Sequence, residues 1–189
     1  MSRRNHAPCL AAAATLLVTL AAVLPTCGAA QTNAATRTPT PSGADLISLP
    51  DLPKTVTRES KRIPGATMLT LKEGAGVLIV IVPDATSDMR TERARKVAAL
   101  QFLKSATDSF VREQNMTVVA SRLPQDPSLP LDGSFVGDVD LRKPDGTLRL
   151  TRYRMIYQSD RSVGMQITAD SRAEFEALAA LAAKITFNE

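Results

Sequence analysis

Residues 77–82 read Val-Leu-Ile-Val-Ile-Val, six apolar side chains in a row. A strand with one wet face alternates apolar with polar, whereas a strand that does not alternate is covered on both faces. The run therefore predicts an interior strand of a sheet that carries a helix on each side. Gly74-Ala75-Gly76 just before it reads as a hairpin turn between two strands, not as a phosphate loop, because no helix follows. Further strands are expected at 68–71, 116–120, 135–141, 148–157 and 163–167, bounded by polar turns.

Two helices supply the covers. In 90–114, Ala99, Phe102, Leu103, Ala106 and Phe110 recur at helical spacing, Glu92 and Lys96 pair one turn apart, and Asn115 suits a left-handed terminator. The second helix starts at Ser171, where Ser171 and Glu174 have the spacing of a capping box, each satisfying a free backbone N–H. Phe175, Leu178, Ala179, Ala182 and Ile185 form its buried stripe. Two strands, a helix, a run of further strands and a terminal helix, joined by short polar turns, predict an α+β fold. Its sheet is mainly antiparallel, of about six strands, flanked by two main helices, in a single domain over 63–189. Residues 31–62 are rich in Thr, Pro and Ser without periodicity and read as a flexible tether; only Leu46, Ile47, Leu49 and Leu52 are available to dock as a short arm.

The first thirty residues read as a signal peptide. Arg3 and Arg4 precede an uncharged run of Ala, Leu and Val over 7–24, which ends in the small residues Gly28, Ala29 and Ala30. The run is too Ala-rich, too interrupted by Thr15 and Thr19, and too soon closed by Pro25 to favour a membrane-spanning anchor. Cleavage after Ala30 competes with a second route, because Leu24-Pro25-Thr26-Cys27 resembles a lipobox in which Cys27 is acylated. The chain is thus expected to be exported to the periplasm or cell envelope, with membrane attachment only if Cys27 carries lipid.

Cleavage after Ala30 removes His6, Cys9 and Cys27, the only histidine and both cysteines. The body then lacks the parts for Ser-His-Asp or Cys-His catalysis, zinc fingers and c-type haem attachment. It has no disulfide to stand on, and no metal and no cofactor are expected. The precursor holds 23 Lys+Arg against 19 Asp+Glu, and the leader removes two Arg and no acid, leaving a net charge of +2. With 4% aromatic residues and no Trp, that balance gives no support for nucleic-acid binding.

The order of elements after a leader and a Pro/Thr-rich tether, ending in a helix that closes Ala183-Lys184-Ile185-Thr186-Phe187, resembles the DcrB/PsbP-like family. The resemblance implies a sheet flanked by helices and a non-enzymatic role in binding or assembly at the envelope.

Charge is segregated along the chain. Asp126, Asp132, Asp138 and Asp140 occupy 124–141 without a base, and Arg142, Lys143, Arg149, Arg152, Arg154 and Arg161 follow, against Asp145 and Asp160. Asp138 and Asp140 share a strand face and have the look of an acid-base pair, but a loop of four residues at 143–146 puts Asp140 opposite Arg149 as an ordinary cross-strand ion pair. Arg149, Arg152 and Arg154 form a candidate surface for phosphate or carboxylate groups. The Pro-rich loop over 121–134, with Leu129 and Leu131, is a candidate recognition loop. In 148–157, Leu148 and Leu150 are apolar at even positions, and Tyr153, Met155 and Tyr157 at odd ones. This predicts a β-bulge near Thr151 or Arg152 that turns all three arginines outward.

The expected function is that of a non-enzymatic exported protein that binds an envelope protein or an anionic envelope component through the sheet face and Pro-rich loop. The alternative is an inhibitor or immunity protein against a cell-wall hydrolase, with the acidic stretch 124–141 as its plug.

Overall fold

The structure, a computed structural model, describes residues 43–123, Leu129 and residues 133–188. A 3-10 turn (Gly43–Leu46) leads into β1 (Ile47–Ser48), β2 (Thr57–Ile63), β3 (Ala66–Glu73) and β4 (Gly76–Pro83). Helix α1 (Glu92–Glu113) follows, then β5 (Thr117–Arg122), β6 (Ser134–Arg142), β7 (Leu148–Tyr157), β8 (Ser162–Ala169), α2 (Arg172–Ala183) and β9 (Thr186–Phe187). Seven strands make one antiparallel sheet in the order β2-β3-β4-β8-β7-β6-β5, and β1 pairs with β9 alone. The fold is α+β, as the pattern implies.

Alternation on β7 explains how the two helices divide the sheet. Tyr153, Met155 and Tyr157 join Phe135, Val139 and Leu141 under Phe102, Leu103 and Phe110 of α1. Ile156 joins Leu69, Leu78, Val80, Met165 and Ile167 under Phe175, Leu178 and Ile185 at the opposite face. β7 therefore contributes core residues to both faces of the sheet, so odd and even apolar residues need no bulge to reconcile them. The register is unbroken from Leu148 to Ile156 against β6 and from Leu150 to Tyr157 against β8. The bulge lies instead in the edge strand β5, between Val118 and Ala120.

The interior run on β4 is half of what its composition promised. Leu78, Val80 and Val82 are buried, but Val77, Ile79 and Ile81 on the other face are only half-buried, because α1 lies mainly over β6 and β7. The lead-in also differs. From residue 43 the segment expected as tether belongs to the domain: Leu46, Leu49, Leu52 and Val56 pack on the α2-side core, and β2 adds an edge strand. β2 is almost wholly exposed, Thr-Arg-Glu-Ser-Lys-Arg-Ile, and has no hydrophobic signal because backbone pairing and the polar contacts of Arg62 with Thr67 and Asp84 hold it; its charges blunt the sheet edge.

Both helix starts are capped. Thr91 Oγ1 accepts from the Ala94 N–H at 3.2 Å, and Ser171 Oγ from the Glu174 N–H at 3.3 Å. The Glu174 carboxylate does not complete a capping box; it accepts from the Ala75 N–H at 3.0 Å and ties α2 to the β3–β4 turn. Asn115, at φ 50°, takes the left-handed conformation expected of the α1 terminator.

Candidate functional site

The three arginines singled out in the sequence do not converge. Arg149 continues the β7–β8 register opposite Asp170 and bonds its carboxylate, Nε to Oδ1 at 2.9 Å, and Lys143 bonds the same carboxylate. Arg152 lies opposite Asp138 and holds it bidentately at 2.7 and 3.0 Å, with its guanidinium 5.1 Å from the centre of the Phe175 ring of α2. The outward surface expected of them is therefore absent. Even positions on β7 face α2, so Arg152 and Arg154 lie against that helix.

The expected pairing of Asp140 with Arg149 is also off by one position. The loop after β6 holds Lys143 to Thr147, with the Gly146 N–H bonding the Lys143 carbonyl and Gly146 at φ 86°. The added Thr147 sets Asp140 opposite Leu150 and Leu141 opposite Arg149. Asp140 instead takes two bonds from Arg122, at 2.8 and 2.9 Å, which hold its carboxyl below the usual carboxylate range. Carboxylates gripped in this way are poor general bases. The inhibitor plug accordingly loses Asp138 and Asp140 to internal pairs, while Asp126 and Asp132 lie outside the described residues.

Leu129 is a core residue, 2% exposed, and its carbonyl accepts from Arg95 Nε at 2.8 Å. As a contact for a partner it is corrected: its side chain faces the α1-side core. Leu131 and Cys27 lie outside the described residues. Among the described residues no group of His, Cys, Asp and Glu is placed to hold a metal, and no helix is long and apolar enough to cross a membrane.

Arg154 differs from its neighbours. Its Nη1 donates to the Ala182 carbonyl at the end of α2, and among the described residues no carboxylate pairs with it. Burial pushes its pKa below the ordinary guanidinium value. It stands in an open cleft of about 330 Å³ between the start of β6, the end of β7 and the C-terminal strand, lined by Ser134, Ile156, Gln158, Ile185, Thr186 and Phe187 among others. Arg161 stacks its guanidinium 4.8 Å from the Phe187 ring and bonds Gln158 Oε1 and the Asn188 carbonyl. Sequence reasoning found Arg154 but missed the rest of the cleft. Its walls come from three separated segments, the last held in place by β1 pairing with β9, by Ile185 in the core and by Arg161.

No family model matches the chain, and no curated protein matches it. Among solved structures it is similar to one described as LpqN involved in cell envelope biogenesis of Mycobacterium tuberculosis. The identity is 16% and the TM-score 0.42, over 76% of this chain and 83% of that one. A likeness of that size carries no argument about this chain, and the DcrB/PsbP-like family is not established by it.

Proposed function

We propose that the chain is an exported, non-enzymatic protein of the cell envelope, periplasmic or lipid-anchored at Cys27, whose domain binds an envelope protein or an anionic envelope component. The leader pattern around Arg3, Arg4 and Ala30 supports export. The observation that carries the binding role is the contrast among arginines: Arg122, Arg149 and Arg152 are each engaged by a carboxylate, and Arg154 faces an open cleft with no carboxylate on it among the described residues. The DcrB/PsbP-like order of elements fits the same reading.

Fractionation with mass spectrometry tests export. A chain beginning at Gln31, or one acylated at Cys27, in the envelope fraction supports it; an intact Met1 start in the cytoplasm removes it. Pull-down from an envelope extract tests binding, with capture expected to weaken for Arg154→Met and to persist for a surface control such as Arg58→Ala.

A further inference from the structure

Resting on that binding role and deepening it, we propose that the Arg154 cleft takes a small amphiphilic carboxylate, with its carboxylate on the Arg154 guanidinium and its apolar body against the half-buried Phe187 ring and the exposed rim of Ile156. The lining supplies both halves of such a ligand. Among the described residues its one charged lining residue is Arg154 and no acid lines it, and Phe187 of the C-terminal segment with the rim of Ile156 stands beside the polar Ser134, Gln158 and Thr186. A volume of about 330 Å³ lies within the small-molecule range of about 300 to 1,000 Å³.

Charge selects the ligand further. The C-terminal end of α2 bears about half a negative charge, which opposes an anion, but Arg154 brings a full positive charge to the same end. Its guanidinium has five N–H donors, and the Ala182 carbonyl accounts for one described bond, so a pair remains for bidentate contact with a carboxylate. A dianionic phosphate calls for a second free cation. Arg161 beside the cleft is committed to Gln158, the Asn188 carbonyl and the Phe187 ring.

Calorimetric titration of the purified protein with decanoate and with decanol tests the proposal, alongside Arg154→Met and Ser134→Trp, which puts a bulky ring at a residue lining the cleft and leaves Arg154 in place. One saturable decanoate site is expected, with decanol at least about tenfold weaker. Arg154→Met should weaken decanoate about tenfold or more, and Ser134→Trp should abolish its binding. Equal affinity for decanol, no decanoate binding, or unchanged binding by Ser134→Trp overturns the proposal. Thermal melts check folding first; if Arg154→Met does not fold, the decanoate-to-decanol ratio and Ser134→Trp decide. Failure here leaves export and envelope capture to stand or fall on their own measurements, and a cytoplasmic chain that binds decanoate overturns the envelope role but not the cleft.

Discussion

The Arg95 guanidinium lies 5.7 Å from the centre of the Tyr157 ring, on a side chain only 5% exposed. It donates Nε to the Leu129 carbonyl and Nη1 to the carbonyls of Met89 and Arg90, at 2.8, 2.6 and 2.9 Å. One cation on α1 thus pins both the β4–α1 connection and the connection between β5 and β6. Arg95→Met leaves three carbonyls without their donor and should cost about 2 to 4 kcal/mol in chemical denaturation. Arg95→Lys, which lacks the fork geometry, should recover only part of that loss.

The hydroxyl of Tyr157, whose ring lies under that guanidinium, is buried without a hydrogen-bond partner among the described residues, and burial pushes its pKa up. Tyr157→Phe keeps the ring beneath Arg95 and removes the unsatisfied group. Thermal melts should find the variant unchanged or stabilised by up to about 1 kcal/mol, where loss of a bonded hydroxyl would destabilise.

These two residues also mark the limit of what the pattern of side chains discloses. The stripes of Phe102 and Phe175, the caps at Ser171 and Asn115, and the antiparallel α+β order follow from periodicity and local chemistry, which act over a few residues. Arg95 falls on the buried stripe of α1 and breaks its apolar pattern, and its acceptors lie as far as 34 residues away. The bulge expected in β7 has a related cause: alternation within one strand implies a single covered face, whereas helices lie over both faces of this sheet. One loop residue, Thr147, shifts every β6–β7 pair by one position. The cleft was illegible because no local signal joins Ser134, Arg154 and Phe187.

Gly164 on β8 leaves room for the Phe102 ring. A Cβ there would lie 2.6 Å from Phe102 Cε2 and 2.8 Å from Cζ, and that ring packs edge-on to Tyr153 at 6.1 Å. Gly164→Ala should cost about 1 to 3 kcal/mol by overpacking. Combined with Phe102→Leu, the loss should be smaller than the sum of the two single losses, a coupling that a double-mutant cycle measures.

Acid should unfold the protein through its paired aspartates. Bonds from Arg122 hold Asp140 below its ordinary pKa; for Asp170 burial works upward, but bonds from Arg149 and Lys143 outweigh it. A carboxyl whose folded pKa is depressed contributes stability that is present above the unfolded value, about 3.9, and is lost as pH falls through the folded value. Denaturation midpoints should therefore be level from about pH 7 to 5 and fall below about pH 4. Asp140→Asn should flatten part of that fall and cost about 0.5 to 1 kcal/mol at neutral pH.

Glu174 joins two elements that are far apart in the chain, with its carboxylate on the Ala75 N–H in a turn where Gly74 sits at φ 58°. The bond replaces the one a capping box would have made, so α2 is anchored to the β3–β4 hairpin as well as capped by Ser171. Because an amide oxygen also accepts, Glu174→Gln should keep the tie and lie within about 0.5 kcal/mol of the native protein. Glu174→Ala should cost about 1 kcal/mol, since both the turn N–H and the first turn of α2 lose an acceptor-bearing, negatively charged group. Hydrogen exchange at the Ala75 amide separates this tie from a purely helical effect. Exchange should quicken in Glu174→Ala and stay near native in Glu174→Gln; equal exchange in both variants would mean that the carboxylate acts on α2 alone.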